Sequence, residues 1–314
     1  MRLPLKIEGS APLTGATRIL IVRLRSLGDC VLSTPAIHLL KRNRPNADIA
    51  VVVEPQWQSV FEGNPDVSRI LPPALRAVRS FHPQVSIDFH GGNTAARLTF
   101  LSGAKCRAGF VHFKRRWVYN IRIPSAQSIL HCTRKVHTAE HMASAMFHLG
   151  VPKCEVPGAR LFAAPAGSRR APYAVIHPVA ATPEKTWSAA GFLRVAAYLR
   201  DRHGIDSVFI AAGNQDLSAF AGWEIVSGAP LSELKTLIAG ASLFVGNDSG
   251  PAHLAAAFGV PPVVVFGPSD PVIWGPWRTR GEVVQADGPI AALAVERVIQ
   301  AVDQVRSNPV RAWA

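Results

Sequence analysis

The sequence predicts an α/β protein made of two doubly wound parallel-sheet domains. Three observations carry that expectation. Short β-branched runs alternate with amphipathic stretches in both halves of the chain, the pattern of parallel strands joined by crossover helices. The chain has 314 residues, twice the ~150 residues of an ordinary domain. A Pro/Gly/Ala-rich stretch, residues 156–172, interrupts the periodicity near the middle, as a linker would. The expected domains are therefore residues 1–160 and residues 161–314, the latter closing on a helix.

In the first half, residues 18–23 form a short apolar run read as a strand. A polar loop, residues 25–29, leads from it into an amphipathic helix over residues 31–42. Further strands are expected at residues 49–53, 67–71 and 85–89, with helices at 56–62, 94–101 and 138–149. Past the linker the alternation resumes. Strands are expected at residues 173–177, 207–211, 243–245 and 263–266. Helices are expected at 189–202, 231–239, 251–258 and 290–305. In open parallel sheets, ligands bind at the carboxyl ends of the strands, so the expected active site is a cleft where two such sheets face each other.

Composition narrows the function classes. Hydrophobic residues are 48% and charged residues 18% of the chain, which fits a folded protein with a large core. The longest apolar runs, such as Val263-Val-Val-Phe266, fall far short of the ~20 residues of a membrane-spanning helix. Arg2 and Lys6 are separated from any apolar stretch by Pro4, Glu8 and Pro12, unlike a secretory leader, so a cytoplasmic location is the expectation. Cys30, Cys106, Cys132 and Cys154 are widely spaced, without the pairs of a zinc ribbon or a disulfide framework.

The formal net charge is +13, and its distribution is uneven. Residues 1–160 hold 22 Lys/Arg against 9 Asp/Glu, whereas residues 161–314 hold 12 of each. The basic half is expected to face an anion: nucleic acid, an acidic membrane surface, or a phosphorylated or carboxylated acceptor.

Several loops concentrate polar chemistry. Gly28 and Asp29 follow the first strand, where a carboxylate serves either as a functional group or as a helix cap. That loop lacks both the Gly-x-Gly-x-x-Gly of dinucleotide oxidoreductases and the P-loop pattern. Gly246-Asn-Asp-Ser-Gly-Pro-Ala-His253 follows another strand and opens a helix with Pro251 in its first turn, where the missing N–H costs nothing. Ser249 and Gly250 can present N–H groups to a phosphate there, and Asp248 suits sugar hydroxyls. Lys185 lies in the loop after His177-Pro178 and could reach the same phosphate, while Asp216 ends a third strand loop where it could accept from ribose hydroxyls. His137-Thr-Ala-Glu-His141 has the spacing of some zinc peptidases but no equally clear third ligand. Lys114-Arg-Arg-Trp117 is basic and aromatic, without a recognised nucleic-acid module around it.

Taken together these segments resemble the ADP-heptose:lipopolysaccharide heptosyltransferases, glycosyltransferase family 9. The resemblance rests on Ile19-Leu-Ile-Val-Arg-Leu-Arg-Ser-Leu-Gly-Asp29 with Thr34-Pro-Ala36, on His177-Pro178 with Lys185-Thr-Trp187, and on Val245-Gly-Asn-Asp-Ser-Gly-Pro-Ala-His253 with Phe266-Gly-Pro-Ser-Asp-Pro271. Asp88-Phe-His-Gly-Gly92 and Leu101-Ser-Gly-Ala-Lys-Cys-Arg-Ala-Gly109 add to it, so the likeness runs from about residue 18 to 305.

The resemblance implies a GT-B fold, with the first domain binding the acceptor and the second the nucleotide sugar. It implies an inverting transferase that needs no metal and no cofactor. Its donor would be ADP-heptose and its acceptor an anionic lipopolysaccharide inner core of Kdo and heptose. By position, Asp29 is similar to the family's general base. Lys185, Asp216, Asp248, Ser249, Gly250 and His253 fall in the donor-binding segments, with Asp216 in a Gly-Asn-Gln-Asp stretch unlike the commoner glutamate-containing versions. Arg25, Arg97, Lys105 and Arg107 are the acceptor-binding candidates on position alone. Peripheral contact with the cytoplasmic face of the inner membrane is expected, and nucleic acid is not an expected partner. The alternatives are a GT-B transferase with another nucleotide sugar or a protein acceptor, and a noncatalytic polyanion-binding module.

Overall fold

The computed structural model describes residues 12–164 and 172–307. Residues 1–11, with Arg2 and Lys6, and the middle of the expected linker lie outside the described residues. The chain divides into two compact units, Met1–Phe162 and Ala163–Ala314.

The first unit carries six strands: β1 (Arg18–Val22), β2 (Asp48–Val52), β3 (Arg69–Leu71), β4 (Val85–Asp88), β5 (Cys106–Phe110) and β6 (Ile121–Ile123). All its pairings are parallel, in the order β3-β2-β1-β4-β5-β6. Its helices are α1 (Leu27–Asn43), α2 (Leu75–Ser80), α3 (Asn93–Leu101), α4 (Ala126–Leu130) and α5 (Thr138–His148). Four of the five residues of β1 and of β2 are buried. Such near-continuous apolar strands mark a sheet covered on both faces, and this explains why β1 and β2 were readable from sequence.

The second unit repeats the plan with β7 (Tyr173–His177), β8 (Asp206–Ala211), β9 (Glu224–Ser227), β10 (Leu243–Asn247), β11 (Pro262–Phe266) and β12 (Glu282–Gln285). The strand order is β12-β11-β10-β7-β8-β9, again all parallel. Its helices are α6 (Ala189–His203), α7 (Leu231–Ala239), α8 (Gly250–Ala257), α9 (Pro271–Trp274) and α10 (Val295–Ser307). Each sheet therefore has the doubly wound order in which winding reverses at the centre. That reversal opens a crevice beyond the strand ends, between β1 and β4 in the first unit and between β7 and β10 in the second. These are two Rossmann-like units of the GT-B fold. Among the described residues no helix is long and apolar enough to cross a membrane.

Local chemistry shapes the elements nearest these crevices. Pro35 lies inside α1 and cannot donate to the Val31 carbonyl one turn back. Thr34 Oγ1 donates to that carbonyl instead, at 2.8 Å, and accepts the Arg160 N–H at 2.9 Å. The Thr34-Pro35 pair thus mends the helix and pins the segment after α5 onto it. In the second unit, Trp187 is buried with Nε1 donating to the Leu293 carbonyl at 3.0 Å. A methyl group at Gly191 would sit 2.5 Å from the Trp187 ring, so glycine admits the indole.

Some expectations need correction. Residues 56–62 are not an α-helix: Pro55–Val60 is a 3-10 turn, since proline opens it and the run is too short for a tertiary-packed helical face. The expected helix over residues 290–305 is a 3-10 turn, Ile290–Ala292, followed by α10 from Val295. The helix after β1 begins at Leu27, so Gly28 and Asp29 belong to its first turn.

Candidate functional site

In the first unit, Asp29 stands in the first turn of α1 beside the central crevice. Ser26 is the helix's N-cap, and Asp29 Oδ2 accepts both the Ser26 backbone N–H, at 3.3 Å, and its hydroxyl, at 3.1 Å. Asp29 is therefore part of a cap, as one sequence reading held, and it has a second partner as well. Arg23, the residue after β1, forms an ion pair with the same carboxylate oxygen and donates through Nη1 to the Phe89 carbonyl at 2.5 Å. The buried guanidinium ties the start of α1 to the end of β4. The Asp29 side chain is 23% exposed, so its carboxylate is held in place while still meeting solvent.

Asp88 and His90 share this crevice, and sequence reasoning gave neither a role. Asp88 is fully buried at the end of β4. Its Oδ1 accepts the N–H groups of His90 and Gly91 at 2.7 and 2.9 Å, and its Oδ2 accepts the Tyr119 hydroxyl at 2.7 Å. Burial pushes the Asp88 carboxyl up, and burial together with Asp88 pushes the Tyr119 phenol up. Burial lowers the His90 imidazole, and the nearby Arg23 and Arg25 guanidiniums lower it further. The available signal was a carboxylate and a histidine at the end of a strand adjacent to β1.

In the second unit, the ends of β7 and β10 are cross-tied. His177 Nδ1 lies 2.9 Å from Ser249 Oγ, and Ser249 Oγ donates to the Asn247 carbonyl at 3.0 Å. The pair ties the end of β7 to the residue that opens α8. Burial holds His177 down at about 4, which keeps the ring neutral at physiological pH. Asn247 is fully buried, and its Oδ1 accepts the Trp187 N–H at 2.9 Å, fixing the Lys185 loop to the end of β10. From the other side the loop is crowded by Gly267, where a methyl group would sit 2.6 Å from the Glu184 carbonyl.

Lys185 and Asp248 meet in consequence, Nζ to Oδ2 at 3.0 Å. Ser249 is the N-cap of α8 but makes no side-chain cap bond, since its hydroxyl is turned to His177 and the Asn247 carbonyl. The first turn of α8 thus receives no side-chain cap from Ser249, and Pro251 is its second residue. The result is a helix N-terminus with Lys185 alongside, suited to an anion.

The remaining residues singled out by sequence are dispersed. His253 is buried one turn into α8. Asp216, in the loop after β8, is exposed, and its Oδ1 accepts the Ser218 N–H at 2.8 Å, which holds the carboxyl below its usual range. Arg25 follows the β1 loop close to Glu54, at 4.0 Å. Arg97 is on the outer side of α3. Lys105 and Arg107 lie at the start of β5, whose first residue pairs with the first residue of β4. That is the amino end of the strands, whereas Asp29 follows the carboxyl end of β1, so the structure does not gather the four acceptor candidates at one place.

The His137-Glu140-His141 spacing is used for packing. His137 caps α5 by accepting the Ala139 N–H at 3.1 Å, Glu140 makes a two-pronged pair with Arg134, and His141 stacks on Phe110 with centroids 4.1 Å apart. Among the described residues no group of three or more His, Cys, Asp or Glu is placed to hold a metal ion.

Comparison with known proteins bears on this arrangement. The chain is 28% identical to lipopolysaccharide heptosyltransferase 3 of Escherichia coli over 301 residues, covering 82% of this chain and 85% of that one. A family 9 glycosyltransferase from Veillonella parvula superposes with a TM-score of 0.81 at 22% identity, covering 92% of this chain and 97% of the other. The E. coli ADP-heptose LPS heptosyltransferase II superposes with a TM-score of 0.77 at 19% identity, covering 92% and 98%. Residues 75–298 match the family described as glycosyltransferase family 9 (heptosyltransferase). The match takes in the His177, Lys185 and Asp248–Ser249 segments of the second unit, and this chain belongs to that family of glycosyltransferase enzymes.

Proposed function

We propose that the protein moves a heptose from ADP-heptose to an anionic, Kdo- and heptose-containing inner core of lipopolysaccharide, inverting the anomeric centre in one displacement without a metal. Family membership supports the reaction class. The donor and acceptor follow from the similarity to E. coli enzymes whose names state ADP-heptose and lipopolysaccharide. The observation that carries the reading is the N-terminus of α8, where Ser249 makes no side-chain cap bond, with Lys185 held 3.0 Å from Asp248.

The second unit takes the donor. Lys185 and the N–H groups at Ser249 and Gly250 face the diphosphate, and Asp248 and Asp216 meet sugar and ribose hydroxyls. The first unit takes the acceptor, with Asp29 as general base. The acceptor oxygen attacks the anomeric carbon, its proton passes to Asp29, and the bond to the β-phosphate oxygen breaks, so that ADP leaves with the electron pair. Negative charge grows on the departing diphosphate, where an ammonium and oriented N–H dipoles stabilise it without a bound cation. Arg23 and Ser26 keep the Asp29 oxygen aimed while the proton moves.

The test is ADP release from ADP-heptose with and without a deacylated inner-core acceptor. Release that depends on acceptor and persists in a chelator supports the reading. Acceptor-dependent UDP release from UDP-sugars, with no ADP release from ADP-heptose, would replace ADP-heptose with another nucleotide sugar.

A further inference from the structure

Phe100 and Trp117 stand out on the first unit. They are 46% and 63% exposed, and their rings meet edge to face with centroids 5.5 Å apart. α3 presents Asn93, Arg97 and Phe100 at spacings of four and three residues, hence along one side, and all three are exposed. Residues 114–117 run beside that row. Arg115 Nε donates to Asn93 Oδ1 at 2.7 Å at one end, and Trp117 contacts Phe100 at the other. Arg97 therefore lies between the two contacts. Arg107 borders the aromatic pair, with its guanidinium 5.6 Å from the Phe100 ring centre and bonds to the Val118 and Ala104 carbonyls at 3.0 and 3.2 Å. The charge here has one sign, because between Asp88 and Glu140 the chain has nine lysines and arginines and no acidic residue.

Cations without carboxylates attract an anionic surface, whereas an exposed Trp and Phe gain by leaving water. A bilayer with anionic headgroups meets both demands, since lysine and arginine pair with lipid phosphates and aromatic rings settle at the headgroup boundary. Nucleic acid also meets the first demand, and the oligonucleotide comparison below decides between the two.

We propose that α3 and residues 114–117 form a docking surface for an anionic lipid bilayer. Trp117 and Phe100 enter the headgroup boundary, and Arg97, Lys114, Arg115 and Arg116 pair with lipid phosphates. The purpose of such a surface rests on the glycolipid-acceptor reading above, yet its test needs no acceptor.

The test is cosedimentation of the full chain with vesicles of phosphatidylcholine containing about 30 mol % phosphatidylglycerol, against pure phosphatidylcholine. The expected result is binding to the anionic vesicles alone, abolished by roughly 0.5 M NaCl. Trp117→Ala should weaken binding about tenfold. The triple variant Lys114→Gln, Arg115→Gln, Arg116→Gln should weaken it about tenfold or more. Bromine-labelled acyl chains should quench the tryptophan emission of the unaltered protein and lose most of that effect in Trp117→Ala. Parent-like binding by both variants, equal binding to neutral vesicles, or absence of quenching would overturn the docking surface, as would preference for a single-stranded oligonucleotide over the vesicles. Vesicle binding without ADP release would leave this surface standing and sink the transferase reading, and normal release without vesicle binding would do the reverse.

Discussion

The ammonium of Lys185 lies 3.0 Å from the nearly buried carboxylate of Asp248, one group from the loop after β7 and the other from the end of β10. Neither is spare charge. The carboxylate holds the ammonium at the open end of α8, and the ammonium offsets a carboxylate that is only 9% exposed. Removing the lysine alone strands that carboxylate, and breaking such pairs from one side is costly.

Lys185→Ala should raise the donor KM about tenfold or more and destabilise the fold by about 1–3 kcal/mol. The variant Lys185→Ala, Asp248→Asn should recover most of the stability and none of the donor affinity. Donor titration together with urea unfolding separates the two effects. Recovery of donor affinity in the double variant would remove Lys185 from diphosphate binding.

Arg23 should act through Asp29 and not on substrate. Arg23→Met leaves the donor KM near that of the parent and lowers kcat, because the base loses the partner that aims it. Arg23→Lys restores part of kcat. Equal losses in kcat and donor affinity, with no rescue by Arg23→Lys, would reduce Arg23 to a structural role.

The buried His177 sets an acid limit on stability. Its folded pKa of about 4 lies below the ordinary imidazole value of 6.5, so between these values the unfolded chain binds a proton that the folded chain refuses. Stability is thus unaffected by this group above about 6.5, falls as pH drops towards 4, and is flat below it; the loss amounts to at most about 3 kcal/mol. His141, also held down to about 4 by burial, by His112 and by Arg23, adds in the same direction. His177→Gln should flatten the decline of the thermal midpoint between pH 6.5 and 4. An unchanged slope would assign the acid sensitivity elsewhere.

Tyr119→Phe tests the buried brace of the first crevice. It removes one of three donors to Asp88, with an expected cost of about 1–3 kcal/mol and a shift of the loop carrying His90 and Gly91. Unfolding in denaturant measures the cost, and a change under about 0.5 kcal/mol would show that water replaces the hydroxyl.

The central strands were legible because β1, β2, β7, β10 and β11 are nearly all apolar and buried on both faces. β5, β6, β9 and β12 were not. Cys106-Arg-Ala-Gly-Phe110 and Glu224-Ile-Val-Ser227 carry polar residues or glycine, and they form through pairing with neighbours rather than through their own pattern. The phosphate-type loop at Gly246–His253 was legible through its residue types, but its contact with Lys185 depends on Asn247 and Gly267, which have no local signature. Asp88 went unassigned because its partners, Tyr119 and the 90–91 backbone, come together only in three dimensions. Where Lys105 and Arg107 lie along β5 was not legible, because proximity to a strand in sequence does not say at which end of it a residue sits.

Salt should act on the acceptor more than on the donor. Raising NaCl to roughly 0.5 M should increase the acceptor KM several-fold while leaving the donor KM within about twofold, since the donor's charge is met by a partly buried lysine and fixed dipoles. Equal responses would place the excess charge of the first half outside acceptor recognition.

The most direct measurement pairs calorimetric titration of ADP-heptose with single-turnover ADP release in Asp29→Ala. A base on the first unit and a diphosphate site on the second require this variant, although it strands the Arg23 guanidinium and loses the Ser26 cap, to bind donor like the parent and release no ADP when acceptor is added. Near-parental release would remove Asp29 from the chemistry, and loss of donor binding would place Asp29 in the donor site instead.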